Sequence, residues 1–279
     1  MTIQTYAWAG FLFFGWMNVL PLNAQTVPPL TISSTGINPV DFEFRTDGTL
    51  IAEGNIGIGS LLSGDQGNGT RFLWFPSLAA FRAGSLDDGG TEGNQAEIGQ
   101  ASVAMGNDNL ASGKWSFAVG GSSTATQTGS ISIGISNISG GYNSVVLGQQ
   151  NTGYGAWSVT MGIGNLTTTD NCVAIGSLNQ ATGVMSLALG ASTSASGRAS
   201  ATFNTETQAQ SCDSSAFGTY NIGGGNATEW VATDPLFEIG NGTATTPHDA
   251  LFVDKSGNVA AAGIITAAPG GDIPMYTGQ

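Results

Sequence analysis

From Ser102 onward the chain repeats a five-residue phrase in which apolar residues alternate with small ones, and it does so every fourteen residues. Ser-Val-Ala-Met-Gly (102–106) comes back as Ser-Phe-Ala-Val-Gly (116–120), then at 130–134, 144–148, 158–162, 172–176, 186–190, 200–204 and 214–218. Nine copies span 102–227 without an insertion or deletion. With each copy numbered from its first residue, position 4 is always apolar, from Met105 through Ile133 and Ile175 to Phe217. Position 2 is apolar in all but the last copy, where Ser215 stands. Position 3 is small or β-branched. A period of two belongs to a strand and puts positions 2 and 4 on one face. That face is expected to fill the inside. Position 5 is Gly in eight copies, the residue that ends a strand where φ must be positive. Asn recurs at position 8 (Asn109, Asn137, Asn151, Asn165, Asn179, Asn221), and small residues fill position 10. The second half therefore reads as a short strand between two tight turns.

Fourteen residues are too few for a strand–helix–strand unit. They suit one coil of two short strands and two turns, stacked in parallel on the next about 4.8 Å away, so that nine coils make a rod about 43 Å long. A coil this narrow buries little alone. Stability accumulates by stacking, the ends need caps, and association around an axis would bury more.

The closest statements of the repeat are Asn171-Cys172-Val173-Ala174-Ile175-Gly176-Ser177 and Asn143-Ser144-Val145-Val146-Leu147-Gly148. Residues 102–227, about half the chain, resemble the YadA-like head of trimeric autotransporter adhesins, whose fourteen-residue repeat is built around Asn-Ser-Val-Ala-Ile-Gly. The resemblance implies an all-β fold, a left-handed parallel β-roll (solenoid) of nine 14-residue coils with flanking β-hairpins, and three such rolls side by side in a homotrimer. Handedness and trimer are implied by the resemblance; the spacing yields only a stacked parallel coil. In the family the motif is linked to collagen binding, which carries over at most to 143–148 and 171–176, where Ser and Ile are not both kept. Full-length members continue into a coiled-coil stalk and a membrane β-barrel. Here no heptad run follows residue 227, and residues 228–279 do not suffice for four membrane strands of about 9–11 residues with turns. The expectation is a fragment or a free secreted or accessory protein.

The flanks divide the rest. Residues 1–24 read as a signal peptide, with an uncleaved N-terminal anchor as the alternative: Ala7 to Leu20 is almost entirely apolar, and Leu22-Asn23-Ala24 offers a cleavage site, although no Lys or Arg precedes Arg45. The mature chain then has no stable membrane span, and the expected location is secreted or cell surface, on the exterior of a bacterial outer membrane. Residues 25–101 hold a hairpin signal, Phe42 to Ile51 around Asp47-Gly48, and an aromatic segment, Arg71 to Arg82, expected to plug the first coil. Residues 228–279 hold a second hairpin, Leu251 to Val259 around Ser256-Gly257.

Charge and chemistry narrow the function. A formal charge of −13 argues against nucleic acid. Within 102–227 the charged residues are Asp108, Lys114, Asp170, Arg198, Glu206 and Asp213, scattered over different coils, so no pair of facing acids is set up for hydrolysis. The one histidine, His248, falls in a loop and has no nucleophile in register. No Asp recurs in register for calcium, and Gly223-Gly224-Gly225 lacks the ending of a phosphate loop. No enzyme, metal site or cofactor is expected. Cys172 and Cys212 lie nearly three coils apart, about 14 Å along the stack, beyond the roughly 7 Å a disulfide spans; none is expected. What remains is binding. Trp115 and Trp157 share position 14, and Tyr142 sits at position 13 between them. With Asn143 and Asn171 they form the candidate contact set, read either as an exposed stripe for an extracellular protein or glycan or as packing between rolls of a trimer. The function expected is a non-enzymatic, trimeric adhesin-like head mediating attachment at the cell surface. The alternative is a structural fibre or tail-type spacer with no ligand of its own.

Overall fold

A computed structural model describes residues 30–33, 41–44, 50–53, 69–87 and 97–263. The chain divides into two units, residues 1–61 with 74–77, and residues 62–73 with 78–279. In the first, β1 (Leu30–Ser33), β2 (Asp41–Phe44) and β3 (Leu50–Glu53) form a three-stranded antiparallel sheet, with Leu30 opposite Phe44 and Asp41 opposite Glu53. The strands of the expected first hairpin are present. Its turn, like the signal segment, lies outside the described residues.

The second unit is an all-β solenoid. It begins with β4 (Gly69–Phe75) and β5 (Ala80–Leu86), and the repeat opens with β6 (Val103–Asn107) and β7 (Leu110–Ala111). This long–short pair recurs. The long strands are β8 (Phe117–Gly121), β10 (Ile131–Ile135), β12 (Val145–Gln149), β14 (Val159–Ile163), β16 (Val173–Ser177), β18 (Leu187–Ala191), β20 (Ala201–Thr205) and β22 (Ser215–Thr219). The short strands between them end with β21 (Gln208–Ala209). Long strands stack in parallel and in register, Ile131 beside Val145 beside Val159, and short strands form their own parallel sheet of eight. The ninth repeat keeps its long strand but no short one, so eight coils are complete.

The alternation along each long strand is real, but its sense is the reverse of the one expected. Position 3 points inward: Ala118, Val146, Thr160, Ala174 and Ala188 are all fully buried. Position 10 faces it from the short sheet, through Ala111, Ala125, Ser139, Thr167, Ala181 and Ala195. Positions 2 and 4 point outward, and Met105, Ile133 and Ile175 are 37–38% exposed. The cause is width. A fourteen-residue coil encloses a bore that admits alanine, serine, threonine or one valine, so the larger side chains stand outside, and a shift of parity moves every side chain to the other face.

Hydrogen bonds hold the turns. At Ser102, Ser130, Ser144 and Ser214 the buried position-1 hydroxyl donates to the carbonyl three residues back, as Ser144 does to Gly141 at 2.8 Å. Position-8 asparagines form a buried ladder. Asn137 Oδ1 accepts the Asn151 amide (3.0 Å), Asn151 Oδ1 that of Asn165 (2.9 Å), and Asn165 Oδ1 that of Asn179 (2.9 Å). Each Nδ2 donates back to the position-4 carbonyl and across to the next coil's position-5 carbonyl, as Asn165 does to Met161 and Gly176. Position 5 lies within the strand rather than at its end, with φ of +116° at Gly162. A Cβ there would lie 2.0 Å from the Gly176 carbonyl oxygen, so only glycine allows the coils to close up.

Both ends of the bore carry a charged side chain in the position-3 column. At the start, Arg82 stands beside Ala104 in the β5–β6 register and is buried. Its guanidinium donates to Ser102 Oγ (2.8 Å), the Ala111 carbonyl (2.9 Å) and the Ser102 carbonyl (3.1 Å). Arg82, the last residue of the segment expected to plug the first coil, enters that coil; of the aromatic residues before it Phe75 is buried, and Phe72 is largely exposed and meets Phe81 edge-on. At the far end β23 (Pro235–Asn241) stacks in parallel on β22 and places Glu238 beside Ala216. Then β24 (Asp249–Asp254) and β25 (Val259–Ala261) turn back antiparallel, the second expected hairpin, with Leu251 opposite Ala261.

Candidate functional site

Each coil turns twice through a left-handed residue, at positions 7 and 14. Position 14 has φ between +52° and +61° at Asn143, Trp157, Asn171 and Met185. Asn and Gly tolerate this conformation best, and bulky residues seldom take it. Here it carries Trp115 and Trp157, which are 59% and 60% exposed. The sequence-derived contact residues divide between two places. Tyr142, Asn143 and Trp157 line one open groove of about 570 Å³ that runs from Gln127 on the second coil to Asp170 on the fifth. The Trp157 amide donates to the Tyr142 carbonyl at 2.8 Å, which fixes the spacing of the two turns. Trp115 and Asn171 are exposed but do not line the groove, and Trp115 instead stacks under Lys114, whose ammonium is 4.4 Å from the ring centre.

The groove contains a ring that the sequence reading missed, Tyr154 at position 11. Its ring lies on Gly140, where a Cβ would come within 2.8 Å of Cδ1, so the absence of a side chain at 140 makes its seat. A signal was present: position 11 is otherwise Ser, Thr, Gly or Gln in every coil. Asp170 lies at the groove's other side, and its Oδ1 accepts the Ala156 amide at 2.9 Å.

A second polar cluster closes the roll. Buried Glu238 accepts from Asn221 Nδ2 and from the Gly223 amide, both at 2.9 Å. Asp249 Oδ1 accepts the Ile222 amide at 3.1 Å. Burial first, and then the negative charge of Asp249, push the Glu238 carboxyl up to about 7. The two carboxyl groups also share a hydrogen bond, and with their bonds to backbone and to the last ladder asparagine the pair acts as a clasp at this end of the roll. His248 is exposed, and its Nδ1 pairs with Asn241 Oδ1. Cys172 and Cys212 are buried free thiols, Cys172 donating to the Gly183 carbonyl at 2.9 Å in place of the repeating serine. Among the described residues no cluster of three metal-binding side chains occurs, and no helix is long and apolar enough to cross a membrane.

The chain matches no family model and no curated protein sequence.

Proposed function

We propose that this chain is a non-enzymatic, trimeric, adhesin-like head acting at a bacterial cell surface or after secretion, through weak contacts multiplied over three chains. The observation that carries the reading is the outward face of the long sheet. Positions 2 and 4 of the first eight long strands of the repeat, among them Phe117, Ile131, Ile133, Val145, Ile175 and Leu187, form one continuous, partly exposed apolar surface. Isolated apolar residues on a surface are ordinary, but a contiguous patch this long marks an interface. The repeat supplies the same surface on every copy of the chain, so copies of the chain are its natural cover, and a closed ring of them leaves none exposed. The resemblance to trimeric heads sets the expected number at three.

Light scattering in dilute solution tests this. A mass of three chains is expected, and Ile175→Asp, in the middle of the face, is expected to bring it down to one while the β-sheet circular dichroism stays unchanged. A wild-type mass of one chain with intact sheet signal overturns the trimer and with it the adhesin-like head.

A further inference from the structure

We propose that the groove between Tyr142, Tyr154 and Trp157 is a binding site for a neutral glycan. The inference rests on the adhesin-like reading in that it names the class of ligand such a head takes.

The first ground is local concentration. Across nine coils, position 11 is aromatic only at Tyr154, position 13 only at Tyr142, and position 14 only at Trp115 and Trp157. Three of these four rings come from three different turn positions and meet in one groove on adjacent coils. Ordinary turn variation would scatter them. A packing role between copies would repeat them at one position, as the apolar residues of positions 2 and 4 are repeated.

The second ground is exposure and preorganisation. The three rings are 54–60% exposed, each with a face free to stack. One of them is held, Tyr154 on Gly140, and the left-handed turn that carries Trp157 is fixed by its amide bond to the Tyr142 carbonyl. Rings already in place lose little freedom on binding.

The third ground is chemical. The faces of aromatic rings are electron-rich and accept the polarised C–H faces of a sugar ring. Gln127, Asn143 and Asp170 supply amides and a carboxylate along the same groove, which suit hydroxyl groups. The Asp170 carboxylate in the groove and the chain's formal charge of −13 disfavour sulfated, sialylated or phosphorylated ligands. An open groove with exposed rings is equally ill suited to a small apolar molecule, which needs enclosure.

The test is an array of neutral oligosaccharides of hexoses and N-acetylhexosamines, with sulfated and sialylated glycans and a triple-helical collagen peptide alongside, probed with the labelled full chain. Bound neutral glycans are then titrated by calorimetry. At least one neutral oligosaccharide is expected to bind saturably, at millimolar affinity or better. Tyr154→Ala and Trp157→Ala are each expected to weaken it about tenfold or more. Trp157→Phe is expected to retain most of the affinity, Gly140→Ala to lower it by displacing the Tyr154 ring, and Trp115→Ala to leave it unchanged. Circular dichroism on each variant separates lost binding from lost fold. The proposal is overturned if no neutral glycan binds, if only anionic glycans or the collagen peptide bind, or if Tyr154→Ala and Trp157→Ala leave affinity unaltered. Light scattering on the same samples keeps the two readings apart. A trimer that binds no neutral glycan sinks the groove alone, whereas a monomer that binds one through Tyr154 and Trp157 sinks the trimeric head and leaves the groove as a glycan site on a single roll.

Discussion

At the scale of single residues, the repeat is enforced by the few places where it is broken. Position 5 must be glycine because the next coil's carbonyl oxygen occupies the space of a Cβ, and the eighth copy departs from this with Asn204, at φ +81°. The consequence is visible in the ladder. Strands β20 and β22 pair at Ala201–Ser215 and Thr202–Ala216, then not again until Thr205–Thr219. Every neighbouring pair of long strands in the repeat stays in register through all five positions. Asn204→Gly should therefore restore the missing pairings and relieve the left-handed asparagine. The gain expected in chemical denaturation is about 1 kcal/mol, after the added flexibility of the unfolded chain is subtracted. A lower denaturation midpoint for the glycine variant would contradict this account. The position-8 departures are milder. Ser123, Thr193 and Thr207 are buried where the ladder asparagine would stand, and Thr193 still takes part through its hydroxyl, which donates to Asn179 Oδ1 at 2.8 Å.

At the scale of the coil, facing residues adjust to one another's volume. Val146 is the one large side chain in the inward column of the repeat, and opposite it the short strand carries Gly153. A Cβ on Gly153 would come within 2.8 Å of Val146 Cγ2. Gly153→Ala should cost about 1–3 kcal/mol by overpacking, and adding Val146→Ala should recover most of it. Equilibrium unfolding of the two single variants and the double variant checks this, and strictly additive costs would refute it. The same pair shows what could be read from the sequence. The period, the parallel stacking, the short second strand and the strands of both hairpins follow from spacing, because apolar positions and turn residues leave a regular trace. The inward face left no such trace. Alternation has two possible parities, and hydropathy favours burying Ile133 over Ser132, whereas the bore has room only for the serine. Coil width, a property of the closed turn, decides the matter. The groove was half legible for a similar reason. Tyr142 and Trp157 declare themselves by register, but Tyr154, on the same coil as Trp157, sits at a position that is aromatic in no other copy, and only the folded turns bring it beside Tyr142.

At the scale of the whole roll, the ends behave differently from the middle. The inward column is alanine, serine, threonine and valine along its length, yet it starts at Arg82 and finishes at Glu238. Burial lowers the Arg82 guanidinium to about 10, still charged at neutral pH. Glu238 is different, since burial and Asp249 raise it to about 7 while an unfolded glutamate titrates near roughly 4.3. Between those values the folded chain holds a proton that the unfolded chain has released. Stability from this group is therefore greatest in acid and is lost as the pH rises through about 7. Asp249→Asn keeps an oxygen for the Ile222 amide and removes the repelling charge. The thermal midpoint of the variant should fall less between about pH 5 and about pH 8 than that of the wild type, and should be the higher of the two at about pH 8. Parallel pH profiles for the two proteins would rule out the clasp as the source of the effect.

The nearest-neighbour ladder has a consequence for inheritance. Through the middle of the roll each coil is bonded to the coil before it and the coil after it, and presents the same backbone to both. A gene that loses or duplicates forty-two nucleotides, or a multiple of them, within this region re-forms the same junction whole units shorter or longer, whereas an in-frame change by an odd number of residues inside a long strand puts a bulky outward residue into the bore. The roll can thus lengthen or shorten by whole units while its two charged ends stay as they are. In such a lineage the third and fourth coils, which alone carry the clustered rings, are the ones whose loss would be felt.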